Sequence, residues 1–323
     1  MAATNPPTLN RPGPVQPADA FDPTALQDLE WSLRRPRSLF SFMMSVLTGT
    51  ATIAALLPLL SVLYLLLKRG LAGLSMTALT DLPPAAMSTG GGFGNAIVGT
   101  FIIVLIATVI SVPFGIFGAI YITEFGPDTQ TAKGVRFAAK VLTGLPSILA
   151  GVFAFAVVVI ATGGFSAPAA GVALALLMVP TILLTAEEAI KRVPARMREA
   201  AVGMGATQTQ VVARVVVPTA LPGILTGIML AIARAAGETA PLLFTALFSE
   251  FWMSRSTPQF LPKTFGDLMK PTASLAVMIY NFSGSPFDNQ IAMAWTAALA
   301  LVVLVLLTNI AGQALAKRTS SIR

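Results

Sequence analysis

Two ionisable residues, Arg234 and Glu238, lie four positions apart within an otherwise apolar stretch, ARAAGETAPLLF at residues 233–244. Residues at i and i+4 share one face of a helix, so the guanidinium can reach the carboxylate. Such a pair could simply join helices, but a buried ion pair is a poor source of stability. A guanidinium also offers two parallel N–H donors to two oxygens of a tetrahedral anion. We therefore predict that the pair guides an oxyanion.

The helix that carries this pair must be one of several that cross a membrane. The sequence is 55% hydrophobic and only 11% charged, whereas soluble domains carry about 25% charged residues. Apolar runs long enough to cross about 30 Å of hydrocarbon recur along the chain. We predict an all-α integral membrane protein with six transmembrane helices, at residues 40–67, 95–122, 138–162, 168–190, 221–248 and 291–316.

The position of Arg234 within the fifth predicted span favours a role in transport. It lies about 20 Å along a helix counted from Leu221, at 1.5 Å per residue. A charged residue at the centre of a span costs about 2.5–3.5 kcal/mol on insertion scales, and such residues normally face a cavity or a pathway. Gly237 and Pro241 flank the pair and should loosen the helix there, which would free backbone groups for polar ligands.

The distribution of Lys and Arg predicts the orientation of the chain. Basic residues cluster before the first span, after the second and fourth spans and at the C terminus, and few lie on the other side. Because the richer side is the cytoplasm, both termini are expected inside. We divide the chain into a disordered cytoplasmic tail (1–38), a six-span permease domain (39–316) and a cytoplasmic C-terminal tail (317–323).

The residues that the chain lacks argue against an enzyme. There is no Cys and no His, which excludes disulfides, thiolate nucleophiles and Ser-His catalysis and removes the commonest metal ligand. No G-x-x-x-x-G-K-[ST] phosphate loop is present, so the chain should not hydrolyse nucleotides itself. The sequence predicts a transport subunit with no catalytic or metal site.

A polar segment between the fourth and fifth spans predicts two short helices joined by a glycine turn. Its motif, Glu199-Ala200-Ala201 with Gly205 six residues after the glutamate and Pro218 at the end, resembles the EAA loop of ABC-importer permeases. Val215 and Val217 replace the usual larger aliphatic residues, and Gln208-Thr209-Gln210 stands where an aromatic residue is frequent. The resemblance implies a coupling helix, formed by the motif residues, that docks on a separate ATPase subunit.

The stretch GILTGIMLAIARAAGETAPLLFTAL at 223–247 is similar to the fifth span of PstA-type permeases of the phosphate-specific ABC transporter. The similarity extends over roughly residues 40–316. It implies the MetI-like architecture of an ABC importer permease, which takes up inorganic phosphate across the bacterial cytoplasmic membrane. Arg234, Glu238 and Thr239 would then form part of the substrate pathway.

The same resemblance implies a set of partners. These are a second, PstC-type permease in a heterodimer, a PstB-type ATPase dimer that carries ATP and Mg, and an external PstS-type phosphate-binding protein. No cofactor is expected on this chain. The outer segments 70–94 and 249–290 would form part of the platform for the binding protein, or be simple connecting loops. Because the chemistry of arginine does not separate one oxyanion from another, a permease for sulfate or molybdate remains the alternative.

Overall fold

The computed structural model describes residues 36–254 and 262–321, and all regular secondary structure within them is helical. The elements are α1 (Pro36–Ala72), α2 (Met76–Thr80), α3 (Gly94–Ile120), α4 (Gln130–Gly144), α5 (Ser147–Ala154), α6 (Ile160–Thr162), α7 (Ala167–Lys191), α8 (Ala195–Gly203), α9 (Gln208–Val211), α10 (Val217–Ala236), α11 (Ala240–Leu243), α12 (Phe265–Leu268), α13 (Leu275–Ser283) and α14 (Asp288–Ser321). Three π-helical turns continue α3, α5 and α9: Tyr121–Phe125, Phe155–Val159 and Val212–Val216.

Five helical runs are long and apolar enough to cross a membrane, and a sixth is bent. The five are Ser38–Ala72, Gly94–Phe125, Ala167–Lys191, Gln208–Ala236 and Asp288–Ala314. The bent run joins α4 to the α5–α6 helix at an angle of 105°. Counting it as one span gives the six predicted from the sequence, so the all-helical, multi-pass membrane fold is confirmed.

The bend lies at the proline that the sequence places inside the third predicted span. A residue that precedes proline is disfavoured in the helical region, and Leu145 accordingly has extended backbone with ψ 140°. Pro146 is likewise extended and serves as the N-cap of α5. The third span is therefore two helices that meet at a sharp corner.

Among the described residues, those up to Val62 and those from Leu63 onward form two separate units. In the first unit, the side chains of residues 39–62 are exposed and largely apolar on every side of α1, as in a helix that spans a membrane. The tail predicted at 1–38 lies outside the described residues except for its last three, which begin α1. At the other terminus, α14 continues through Ser321, beyond the predicted end of the sixth span at residue 316.

The core of the second unit is built around α7, which packs along both α3 and α10. Large buried side chains of α3 and α7 meet there, among them Ile103, Leu174 and Ile182. Gly227 of α10 lies against the Thr185 side chain, and Gly223 lies against Ala189. Since the residue numbers rise on one helix as they fall on the other, α7 and α10 run antiparallel in close contact.

Helix α13, which lies between α11 and α14 in the chain, packs on the bundle. The apolar side chains of the short helix α13 are mostly buried, and the Leu275 N–H donates to the Thr100 hydroxyl of α3 at 2.9 Å. Tyr280 stays exposed. The end of the bundle that carries this helix is called the α13 end below, and the opposite end is called the α8 end.

A carboxylate organises the loop that leads into α12. Asp267 accepts hydrogen bonds from the Lys270 ammonium at 2.8 Å and from the backbone N–H groups of Lys263 and Thr264. The bond from Lys270, followed by that from the Lys263 backbone, holds the pKa of the Asp267 carboxyl well below its usual range. Charge-assisted hydrogen bonds of this kind favour the ionised form.

Candidate substrate pathway and coupling surface

The helix that carries Arg234 ends three residues before the position of Thr239. The sequence predicted a continuous span over 221–248, but α10 stops at Ala236 and a separate turn of helix, α11, begins at Ala240. Pro241 causes part of this difference, because it has no N–H to continue the helical hydrogen bonds. Gly237 supplies the turn between the two helices. The expected loosening around Gly237 and Pro241 is thus a complete break.

The break is held in place from the neighbouring helices. A Cβ atom added at Gly151 of α5 would lie 2.6 Å from the Cα of Pro241, so only glycine allows this approach. The Ser166 N–H, just before α7, donates to the Thr245 carbonyl at 3.0 Å. The segment after Arg234 is therefore fixed against α5 and the start of α7.

The structure brings Arg234 and Glu238 together across this break. The Arg234 Nε lies 3.6 Å from the Glu238 Oε1, and the two side chains are 53% and 18% exposed. Within residues 36–254 and 262–321, this carboxylate is the one ion-pair partner of the guanidinium. The pair is long and half-exposed, so the terminal N–H groups of the guanidinium remain available to another acceptor. Thr239 follows directly and is partly buried.

Arg234 belongs to an exposed stripe on α10. The residues of this stripe are all exposed and recur every three or four positions; they are Gly223, Thr226, Leu230, Arg234 and Gly237. That spacing places them on one face of the helix. Beside the N-terminal part of the stripe, a groove of about 670 Å³ runs between α7 and α10. Its polar lining consists of Thr185, Glu188, Arg192, Thr219 and Thr226.

The contacts between α7 and α10 give the depth of Arg234 in the bundle. Gly223 pairs with Ala189 and Gly227 with Thr185, so each step along α10 matches one step back along α7. Continued for seven residues at the same rise, this register brings Arg234 to about the level of residue 178. That residue, Met178, lies near the middle of α7, which runs from Ala167 to Lys191.

The segment with the EAA-like motif forms a compact helical hairpin at the α8 end. After α8, Gly205 takes a left-handed backbone conformation with φ +85°, which favours glycine. Thr207 then caps α9 through a reciprocal pair of hydrogen bonds with Gln210. The turn places α8 beside the continuous run from Gln208 that becomes α10, so the hairpin is joined directly to the helix of Arg234.

The five predicted coupling residues divide between the hairpin surface and its packing. Glu199, Ala200 and Gly205 are exposed, while Ala201 is buried and Pro218 is partly buried as the second residue of α10. Exposed apolar side chains surround the first three, namely Met197, Val202 and Met204. A mixed apolar and charged surface of this kind suits docking to another protein.

Sequence reasoning missed two carboxylates that hold the α8 end together. Glu124 bonds Arg198 at 2.8 Å, and Glu187 bonds both Arg136 at 2.6 Å and Lys191 at 2.7 Å. The basic partners had been used only to orient the chain. The signal was present, because each glutamate lies at the end of an apolar run and Lys191 follows Glu187 by four residues. The partners Arg136 and Arg198, however, lie 51 and 74 positions from their carboxylates.

The described residues contain no group of three or more Asp or Glu side chains that could hold a metal ion.

The chain is similar to known transport proteins along most of its length. Residues 111–321 match the family described as binding-protein-dependent transport system inner membrane component. Relatives include the phosphate transport system permease protein PstA of Yersinia pestis, 37% identical over 277 residues that cover 86% of this chain and 89% of that protein. Another is the probable phosphate transport system permease protein PstA of Methanocaldococcus jannaschii, 33% identical over 80% of this chain and 88% of that protein.

A solved structure shares the fold. An inward-facing structure of the MetNI methionine ABC transporter aligns with a TM-score of 0.54 and 22% identity, over 71% of this chain and 94% of that one. At this identity the likeness concerns the fold, and it confirms the MetI-like permease architecture. By its family match and its identity to relatives along most of its length, the chain belongs to the binding-protein-dependent inner membrane transport components, and among them to the PstA-type permeases.

Proposed function

We propose that this chain is the transmembrane permease subunit through which an ATP-driven ABC importer takes up inorganic phosphate. Relatives that are 36% and 37% identical are named as phosphate transport system permease proteins, and this supports the choice of substrate. The observation that carries the proposal within the molecule is the half-exposed Arg234 guanidinium at the break after α10, with Glu238 as its loose partner.

In the proposed mechanism, phosphate competes with Glu238 for the Arg234 guanidinium. A planar fork of N–H donors fits two phosphate oxygens, which a point charge such as lysine does not. Transport requires binding that is weak enough for the ion to leave. Glu238 provides this by returning to Arg234 and repelling the departing anion. Thr239, next to the carboxylate, is the third residue assigned to the pathway.

The exposed stripe of α10 suggests how the pathway is completed. If the chain acted alone, this stripe would contact water or lipid; it consists of Gly223, Thr226, Leu230, Arg234 and Gly237. A charged residue facing lipid near mid-bundle is costly, so a second permease of PstC type should cover this face and enclose a polar path. The groove beside Thr226 would continue that path toward the α8 end.

We infer that the α8 end is cytoplasmic and that both termini lie on that side. The basic residues of α4, α8 and the end of α7 support this orientation by the positive-inside rule. The hairpin would then dock in a cleft of a PstB-type ATPase, where ATP and Mg are bound, so that no cofactor is required on this chain. Glu199, Ala200 and Gly205 supply the exposed contact, while Ala201 and Pro218 fix the hairpin to the bundle.

The α13 end would meet a PstS-type phosphate-binding protein. It carries exposed apolar residues on several segments, including Met87, Phe251 and Phe265, and a binding protein that docks there would bury them. Loops that merely connect spans are the alternative, which a cross-linking experiment from Phe265 to the binding protein would separate.

The test of the pathway is phosphate uptake by proteoliposomes that contain the whole importer with Arg234 variants. We expect Arg234→Ala to abolish uptake and Arg234→Lys to restore only part of it, with normal amounts of assembled complex. The control is Lys140→Ala, which removes a positive charge from an exposed position of α4. Normal uptake by Arg234→Ala would refute the pathway. Equal inhibition by sulfate or molybdate would favour the alternative substrate class.

A further inference from the structure

Residues 121–127, which comprise the π-helical turn after α3 and the next two residues, are bonded by side chains from α4 and from the hairpin. From α4, the Arg136 guanidinium donates to the Ile122 carbonyl at 2.6 Å and to the Pro127 carbonyl at 2.9 Å. From the hairpin, Arg198 bonds the Glu124 carboxylate. This end is a π-helical turn, and such wide turns often mark functional positions.

Both arms of the hairpin reach the same residue of α3. Arg198 on α8 donates to the Glu124 carboxylate at 2.8 Å, and the Gln208 side chain at the start of α9 donates to the Glu124 carbonyl at 2.5 Å. These partners are 74 and 84 positions away in the sequence. The hairpin is continuous in the chain with α7 and α10, but α3 is joined to it through these contacts.

The orientation of α8 separates its two faces. Arg198 and Ala201 are three positions apart and face the bundle, whereas Glu199 and Val202 face outward. The Arg198 guanidinium also donates to the Val193 carbonyl at 2.6 Å and the Ile190 carbonyl at 2.9 Å. It therefore ties α8 to the last turn of α7 and to α3 at once. Its side chain is 25% exposed, and that of Glu124 is 11% exposed.

We propose that Arg198 and Glu124 form a strut that makes α3 move together with the hairpin when the ATPase subunits close. This inference rests on the proposed function, because it assigns the step by which closure at the α8 end reaches the transmembrane bundle. A guanidinium that donates to one carboxylate and two carbonyls transmits displacement in several directions, whereas a flexible surface pair would not. Arg198 and Glu124 are thus positioning residues, and Glu199 on the opposite face is the docking residue.

The experiment uses the complete importer in proteoliposomes, with phosphate uptake and ATP hydrolysis measured in the same vesicles. Glu124→Gln keeps the shape of the side chain and removes its charge, and Arg198→Lys keeps the charge and removes the fork. We expect phosphate transported per ATP to fall about fivefold in each, within the range of mutations along coupling routes. Asp128→Asn is the matched control, since it removes an exposed carboxylate four residues from Glu124.

A purely structural role would lower uptake and hydrolysis together and leave their ratio unchanged, and that result in both variants would overturn the strut. A second measurement is independent of the substrate. The chain contains no cysteine, so Tyr121→Cys and Thr209→Cys, at exposed positions of the π-helical turn after α3 and of α9, can be spin-labelled as a pair. We expect ATP to leave their distance distribution unchanged in the parent importer and to broaden it with Glu124→Gln. Identical distributions would refute the proposal, whereas absent phosphate uptake by the parent importer would refute the proposed function.

Discussion

Replacement of Glu238 by glutamine should make the importer bind phosphate more tightly and release it more slowly. Glu238 lies 3.6 Å from the Arg234 Nε. Two unit charges at that distance attract by about 5 kcal/mol at an effective dielectric constant of 20 and by about 1 kcal/mol in water. Because the arginine side chain is 53% exposed, the pair falls near the lower figure, about 1 kcal/mol.

A competitor worth about 1 kcal/mol lowers the affinity of Arg234 for an anion by about fivefold. In proteoliposomes with saturating ATP and defined external phosphate, Glu238→Gln should therefore lower KM by about fivefold and lower kcat as well. Glu238→Asp, which keeps the charge on a shorter side chain, is the control and should stay closer to the parent KM. An unchanged or raised KM for Glu238→Gln would refute the idea that the carboxylate competes with phosphate.

Three further predictions concern the hairpin and the α13 end. Glu199→Lys should uncouple the importer, so that hydrolysis no longer responds to the loaded binding protein, and a full response would contradict the docking role. Gly205→Ala should cost about 1 kcal/mol, since φ +85° is strained for alanine although its Cβ would meet no atom within 4 Å; unchanged thermal stability of the purified permease would oppose this. The lowered pKa of Asp267 means that its contribution to stability is present above its unfolded value near pH 4 and is lost as the pH falls through the folded pKa. The protection factor of the Thr264 N–H, which compares its exchange rate with the intrinsic rate at the same pH, should accordingly fall as the pH drops below about 4, and Asp267→Asn should remove that dependence.

Much of the fold follows from local properties of the sequence. Span length and hydropathy identify the apolar runs, and Pro146 marks the corner of the bent run. Gly205 and the Thr207 capping residue mark the hairpin turn. These features depend on residues close in the chain, and the physical preferences of proline, glycine and capping threonine are strong enough to be decisive.

The remaining features depend on contacts between distant residues. Glu124 looked like an ordinary charge at the end of a span until the fold placed Arg198 beside it. Gly237 and Pro241 predicted a looser helix after Arg234, but the end of α10 at Ala236 was not predicted, because residues 242–248 are largely apolar and extend the predicted span. The position of this break depends on the close contact between Gly151 of α5 and Pro241, which no local pattern in the sequence reveals.

The central claim, that this permease serves an importer of inorganic phosphate, is tested most directly in cells from which its gene has been removed. Uptake of radiolabelled phosphate at micromolar concentration would be compared with and without the restored gene, with unlabelled sulfate and molybdate as competitors and with any low-affinity phosphate system inactivated. We expect uptake to return with the gene and to resist both competitors. Phosphate uptake that is the same without the gene would contradict the assignment.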